Sequence, residues 1–252
     1  LRHPERSEGP ATSAKTFHLA VPDPLSLIDI VPPAKRRSLT WRFERKIRPA
    51  HLVIVAGVDE VGRGCWAGPV FAAAAILPDG LRHKHLNDSK VVEKECREEL
   101  SHFLCTHPEV RWAIGVATLE EIELLNILRA SLLAMRRAVE GLITPPELCL
   151  IDGNMKAGLG CEELTVIDGD ARCPSIAAAS VIAKVARDKT MEELAVLYPH
   201  YGFEKHKGYG TPEHQHALAL HGPSSIHRRA FRPIRERACA DVADDGGEGS
   251  LW

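Results

Sequence analysis

VAGVDEVGRGCWAGPV, residues 55–70, is the stretch on which the fold turns. Read from its upstream flank as LVIVAGVD (52–59), it is an apolar run bounded by turn residues, which predicts a buried strand. The run delivers two adjacent carboxylates, Asp59 and Glu60, and passes at once into Gly62-Arg63-Gly64. A second strand follows as PVFAAAAIL (69–77), and the short connection over 64–68 predicts an antiparallel hairpin. Successive strand residues point to opposite faces, so Asp59 and Glu60 serve one site only if Glu60 lies past the strand's regular end, which Gly62 allows.

Outward from this hairpin, helical and extended patterns alternate. WRFERKIRP (41–49) predicts a short charged helix, and VVEKECREELSHFLCTH (91–107) an amphipathic one with Val92, Cys96, Leu100, Phe103 and Leu104 on one face and Asp88 or Ser89 as N-cap. VRWAIGVAT (110–118) is a third strand. Thr118 and Glu121 form a capping box that opens a helical region running to Gly141. LCLIDG (148–153) and ELTVID (163–168) are the fourth and fifth strands, followed by the Ala-rich helix SIAAASVIAKVARDKTMEELAVLY (175–198). The pattern predicts an α/β fold, a mixed five-stranded sheet flanked by helices.

Composition sets the outer bounds. The chain has 252 residues, 44% apolar and 26% charged, and its net charge is -2. No stretch nears the roughly 20 apolar residues a spanning helix needs, and the N-terminus carries no secretory apolar core. A cytoplasmic protein without a membrane role is expected. Seven cysteines without a C-x-x-C pair argue against a disulfide framework or zinc ribbon. Residues 1–40, proline-rich and aperiodic, are expected to be a disordered or mis-assigned extension. Residues 41–237 are expected to form the folded domain, and 238–252 an acidic flexible tail. Between His200 and Arg237 there are seven Lys or Arg against three Glu, a local basic balance compatible with a polyanion.

In open sheets, ligands gather at the carboxyl ends of parallel strands. Asp59 and Glu60 close the first strand, Asp152 closes the fourth, and Asp170 lies between the fifth and the long helix. If those strands are parallel neighbours, four carboxylates meet, and such a cluster either raises its own pKa values or takes a cation. Hard oxygen donors suit Mg²⁺ or Mn²⁺. Each acid alone has a plainer reading as a turn former or N-cap. Asp168 rivals Asp170, which is preferred for its place nearer the helix N-terminus, and Asp188 reads as a packing residue paired with Lys184 or Arg187. Gly62, Arg63 and Gly64 let backbone groups approach a ligand, and Lys207-Gly208-Tyr209-Gly210-Thr211 adds a ring able to stack on a sugar or base. A tyrosine packed on a glycine turn explains the second motif equally well. His200, His206, His214 and His216 lack a zinc frame and are expected at the surface or on phosphates.

These residues also carry a resemblance. GVDEVGRG (57–64), AGPV (67–70), LNDSK (86–90), NILRASLLAMRRAV (126–139), LIDGN (150–154), GDARCPSIAAASVIAKVARD (169–188), YGFEKHKGYGTPEH (201–214) and HGPSSIHRRAFRPI (221–234) resemble, in order, the motifs of the ribonuclease HII family. The resemblance implies an RNase H-like fold with a helical C-terminal extension. It implies two-metal hydrolysis, with Mn²⁺ or Mg²⁺, of RNA in RNA–DNA hybrids and 5′ to single ribonucleotides in duplex DNA, leaving a 3′-hydroxyl and a 5′-phosphate. The metal-binding and catalytic acids fall on Asp59, Glu60, Asp152 and Asp170. Substrate contacts fall on Gly62, Arg63, Gly64 and the 2′-OH-sensing Tyr209, with Lys90 and Lys207 assigned to the substrate as well. A monomer is expected. Cys65-Trp66, Val91-Val92 and Cys173-Pro174 depart from the usual family pattern. A hybrid-binding module without catalysis, or a junction-cleaving relative, remain the alternatives.

Overall fold

The sheet observed in the computed structural model, which describes residues 39–47, 54–86 and 93–236, is the mixed one expected. Its strands are β1 (Val55–Val61), β2 (Val70–Ile76), β3 (Arg111–Ala117), β4 (Leu148–Asp152) and β5 (Glu162–Val166), in spatial order β3-β2-β1-β4-β5. β1 pairs antiparallel with β2, and β2 with β3; β4 pairs parallel with β1 and with β5. The first, fourth and fifth strands are therefore parallel neighbours, the arrangement that brings their carboxyl ends together.

Helices cover both faces. α1 is Arg42–Ile47, α2 Lys94–Thr106, α3 Leu119–Leu125, α4 Ile127–Glu140 and α5 Pro174–Leu197. The alanine run of β2 alternates between two cores: Ala72 and Ala74 face α4, whereas Ala73 and Ala75 join Leu100 and Leu104 of α2 and the small residues of α5. Truncating Leu100 to alanine would cost about 2–5 kcal/mol as a buried cavity. Small side chains let α5 lie close on the sheet. At Gly57 an added Cβ would sit 2.1 Å from the Ser175 carbonyl carbon, so the start of α5 presses directly on β1 beside Asp59.

That helix start is capped from a distance. Its N-cap, Cys173, makes no side-chain cap bond, and Pro174 has no N–H to satisfy. Instead the buried Glu44 of α1 accepts both the Ser175 amide and hydroxyl at 2.7 Å. An anion thus takes up an orphan donor and lies favourably in the helix dipole.

Two sequence expectations need amendment. The region opened by the Thr118–Glu121 capping box is two helices, because Asn126 adopts φ 69° and its side chain caps α4 through the amides of Leu128 and Arg129. Asn is among the few non-glycine residues that tolerate this region and cap well. The second concerns α2, which begins at Lys94 after Glu93; the proposed caps Asp88 and Ser89 lie outside the described residues, as do residues 1–38 and 237–252. The C-terminal part contains α6 (Phe203–His206) and α7 (Pro212–His221), gathered around Ala67, Met191, Phe203, Leu218, Ile226 and Ile234.

Candidate active site

Parallel pairing of β1 with β4 ends at Val58 opposite Ile151, so Asp59 and Asp152 are each the next residue beyond the same rung. On its other side β1 does not stop there. Antiparallel pairing with β2 continues through Glu60–Ala72 to Val61–Phe71. Glu60 is therefore inside the strand, contrary to the expectation that it had to lie past the end. Only the β4 side of β1 is released, which leaves room for both carboxylates to line one cleft. The Glu60 amide donates to Asp59 Oδ1 at 2.7 Å, while Arg63 Nη1 reaches Glu60 Oε1 at 3.5 Å.

Asp152 is tied to the fifth strand's exit. Its Oδ1 accepts the Gly169 amide at 2.7 Å, at the start of the 3-10 turn Gly169–Ala171 that carries Asp170. Asp170 is 3% exposed, whereas Asp168 is exposed with φ 52°. The turn thus separates the two rivals: Asp170 points inward and Asp168 outward.

Electrostatics single out two of these acids, Asp59 and Glu60. Burial pushes the Asp59 carboxyl well above the usual carboxylate range, and Asp152, Glu60 and Asp170 add to it, with a Ser180 hydrogen bond opposing. Burial raises Glu60 as well; Arg63 opposes this shift and Asp152 adds to it. Carboxylates whose charged forms burial disfavours are stabilised in those forms by a nearby cation. The donor set is all hard oxygen, which fits Mg²⁺ or Mn²⁺. Among the described residues, no group of three or more His, Cys, Asp or Glu side chains is arranged to hold a metal ion by itself.

A cleft of about 400 Å³ joins Asp59, Glu60 and Asp152 to Gly62, Arg63, Gly64 and Tyr209. Arg97, Ser180 and Lys184 also line it; from sequence, Lys184 was read only as a partner of Asp188, and Arg97 and Ser180 were not singled out. Asp188 does pair as expected, with Lys184 at 2.5 Å and with Arg97 at 3.9 Å. A larger cavity of about 630 Å³ lies beside Trp41, Leu81 and Pro174 and contains none of the four acids. Tyr209 is 41% exposed, and burial, then the nearby Cys65, push its hydroxyl up to about 12, so it remains a hydrogen-bond donor at neutral pH.

The remaining candidates are placed differently. Lys207 is buried, and its Nζ is held by Glu192 at 2.8 Å and the Glu204 carbonyl at 2.6 Å. Lys90 lies outside the described residues. His206 and His214 are buried rather than superficial, with their ring nitrogens engaged internally; His200 and His216 are exposed.

Behind the glycine turns stand two arginines: Arg228, which sequence reasoning missed, and Arg187, which it gave only as a possible partner of Asp188. Arg187 and Arg228 are 0% exposed. Arg187 donates to the carbonyls of Pro69, Lys207 and Ala67 at 3.1, 2.9 and 3.1 Å. Arg228 donates to the Arg63 carbonyl at 3.1 Å and to Gly68 at 2.9 and 2.7 Å. Gly62, with φ 93°, leaves room for Arg187, whose Nε would lie 2.1 Å from an added Cβ. Trp66 packs under Gly210 in the same way, and Cys65 is buried beside it. One of the three departures from the family pattern, Cys65-Trp66, thus forms the seam between the Gly62–Gly64 and Tyr209 segments.

A mixed sheet with acids converging at its parallel strand ends, opening on a cleft with cationic and glycine walls, defines an RNase H-like nuclease. The ribonuclease HII family model matches residues 56–234. Ribonuclease HII of Bordetella pertussis is 51% identical over 182 residues, covering 72% of this chain and 90% of that protein. That of Granulibacter bethesdensis is 50% identical over 187 residues, covering 73% and 85%. The crystal structure of ribonuclease H2 from Pyrococcus horikoshii OT3 aligns with a TM-score of 0.62 at 25% identity, covering 74% of this chain and 97% of that one. The chain belongs to the ribonuclease HII family.

Proposed function

We propose that this endoribonuclease of RNA–DNA hybrids also cuts 5′ to single ribonucleotides in duplex DNA, with Asp59, Glu60, Asp152 and Asp170 as its metal-holding acids. The observation that carries the reading is the meeting of Asp59, Glu60 and Asp152 with Arg63 and Tyr209 in one cleft. Mn²⁺ or Mg²⁺ bound by these acids would polarise the scissile phosphate and activate a water, giving 3′-hydroxyl and 5′-phosphate ends.

The chain's own groups do the rest. Asp59 and Asp152 present oxygens from adjacent strand ends, and the Gly169 amide keeps the Asp152 carboxylate from rotating freely. Arg63, Arg97 and Lys184 place positive charge along the cleft walls, where a phosphate backbone gains from it. The Gly62–Gly64 backbone and the Tyr209 hydroxyl offer donors and acceptors to a ribose 2′-OH, the group that tells RNA from DNA. Lys207 contributes to substrate only by giving up Glu192. Lys90 is retained as a phosphate contact on its motif. The protein acts as a cytoplasmic monomer; among the described residues, no helix is long and apolar enough to cross a membrane.

The test is an end-labelled duplex with one ribonucleotide, incubated with Mn²⁺, Mg²⁺ or EDTA beside an all-DNA control. A metal-dependent cut 5′ to the ribonucleotide is expected. Binding without a cut in either metal would replace this reading with a hybrid-binding module.

A further inference from the structure

Three rings in the C-terminal part have no role in the site described above. His206, His214 and His227 are all buried. His206 stacks on His214 with centroids 4.5 Å apart, and His214 Nε2 meets His227 Nε2 at 2.9 Å. Two ring nitrogens at that distance need one proton between them, and the ends of the chain decide which ring supplies it.

The Ser224 amide, 2.9 Å from His227 Nδ1, can only donate, so Nδ1 is bare and the His227 proton sits on Nε2. That N–H donates to His214 Nε2, which must be bare. The His214 proton is then on Nδ1, where it donates to the Tyr209 carbonyl at 2.9 Å, a group that can only accept. Both ends demand the same polarity, and the two rings hold opposite tautomers. A second proton on either ring would set N–H against N–H. Burial also lowers both rings to about 4.

The relay ends on a backbone that is tied at each step. His206 Nδ1 accepts the Gly208 amide at 3.2 Å, and the His206 carbonyl accepts the Tyr209 amide at 2.9 Å. The Gly208 carbonyl accepts the Trp66 amide at 2.8 Å, and the Lys207 carbonyl accepts Arg187. From Lys207 to Tyr209 no backbone polar group is left to move, while the Tyr209 ring projects to the cleft.

We propose that His227 and His214 are positioning residues: an uncharged two-ring relay from the Ser224 amide to the Tyr209 carbonyl that fixes where the Tyr209 ring meets the ribose. The proposal rests on Tyr209 as the ribose reader. Recognition of a single 2′-OH requires a reader held within about half an ångström, and the relay supplies that constraint.

The first measurement is long-range ¹H–¹⁵N correlation on the ¹⁵N-histidine-labelled full chain at pH 7. It should show His227 protonated on Nε2 and His214 on Nδ1. The same tautomer in both, or a charged ring, overturns the relay. The second compares His227→Leu with His227→Gln, whose amide can restore the N–H donor, on the single-ribonucleotide duplex. His227→Leu should lower kcat/KM about tenfold or more while leaving affinity for an all-DNA duplex unchanged, and His227→Gln should recover most of the loss. Tyr209→Ala is run beside them. If Tyr209→Ala is impaired and His227→Leu is not, the relay is wrong; if Tyr209→Ala is unimpaired, the ribose reading beneath it is wrong. Should His227→Leu fail to fold, the tautomers of the unmodified chain decide.

Discussion

The acid end of the sheet and the block behind the glycine turns both bury charge-bearing side chains, yet they satisfy them in opposite ways. Asp59 and Glu60 are pushed up in pKa by burial first and then by neighbouring carboxylates, Asp152 acting on both. Arg187 and Arg228, fully buried, spend their donors on backbone carbonyls of 63–69 and 207. In the first region burial disfavours the charged carboxylates, the condition that the proposed cations would relieve. The other is closed on itself and serves to hold loops still. The contrast separates chemistry from scaffolding more reliably than burial does.

The sharpest way to break that comparison is to neutralise one member of each region. Asp59→Asn should lower the cleavage rate about a thousandfold or more, because a cation-holding oxygen is lost. Its thermal unfolding in EDTA should nevertheless shift upward, since a repelled, desolvated charge has gone. Arg187→Met should do the reverse in kind, destabilising the fold by about 3 kcal/mol or more as three buried carbonyls lose their donor. Denaturant unfolding of the two variants measures both effects. If Asp59→Asn unfolds as readily as Arg187→Met, the two regions are not different in the way described.

Tyr209→Ala falls between these cases. It should reduce incision at a single ribonucleotide by roughly 10- to 100-fold, as expected for a misplaced or missing ribose contact, with little change in all-DNA binding by anisotropy. Glu44→Gln should cost about 1 kcal/mol of stability through the weakened anionic cap on α5, read by the urea midpoint.

The smallest expected effect is a pH dependence. His214 and His227 have folded values of about 4 against an ordinary 6.5, so the neutral rings are favoured in the fold. The unfolded chain takes up protons first as pH falls. Their contribution is therefore whole above about pH 6.5 and is lost progressively towards pH 4. His227→Gln should flatten part of that acid-side loss in a series of melting curves; an unchanged slope would contradict the neutral pair.

Much of this was legible in the sequence because strands and their ends leave local signals. The apolar run closing on Asp59-Glu60, the LCLID run closing on Asp152, and the short hairpin connection fixed the neighbourhood of the acids before any geometry. The capping box at Thr118 and Glu121 was equally local. What escaped depended on distant partners. Glu44 caps a helix 131 positions away, and nothing near it in sequence distinguishes it from a solvated acid. Arg187 lies among Lys184, Asp188 and Lys189 in a charged-looking turn of α5, and only the approach of residues 67–69 and 207 turns it inward. His206 and His214 looked like surface histidines because their partners are backbone groups and other rings, and His227 carried no local signal at all. Glu60 was misjudged by treating the end of β1 as one event, when pairing stops with β4 at Val58 and continues with β2 to Val61.

The most direct test of the central claim, that the acid end requires external cations while the block behind it does not, is the melting temperature of the unmodified chain and of Asp59→Asn with and without Mn²⁺ after EDTA treatment. The account predicts a clear Mn²⁺-dependent rise in the unmodified chain and a much smaller one in Asp59→Asn, because an ion that binds only the folded state stabilises it in proportion to its affinity. An equal rise in both, or none in either, would contradict it.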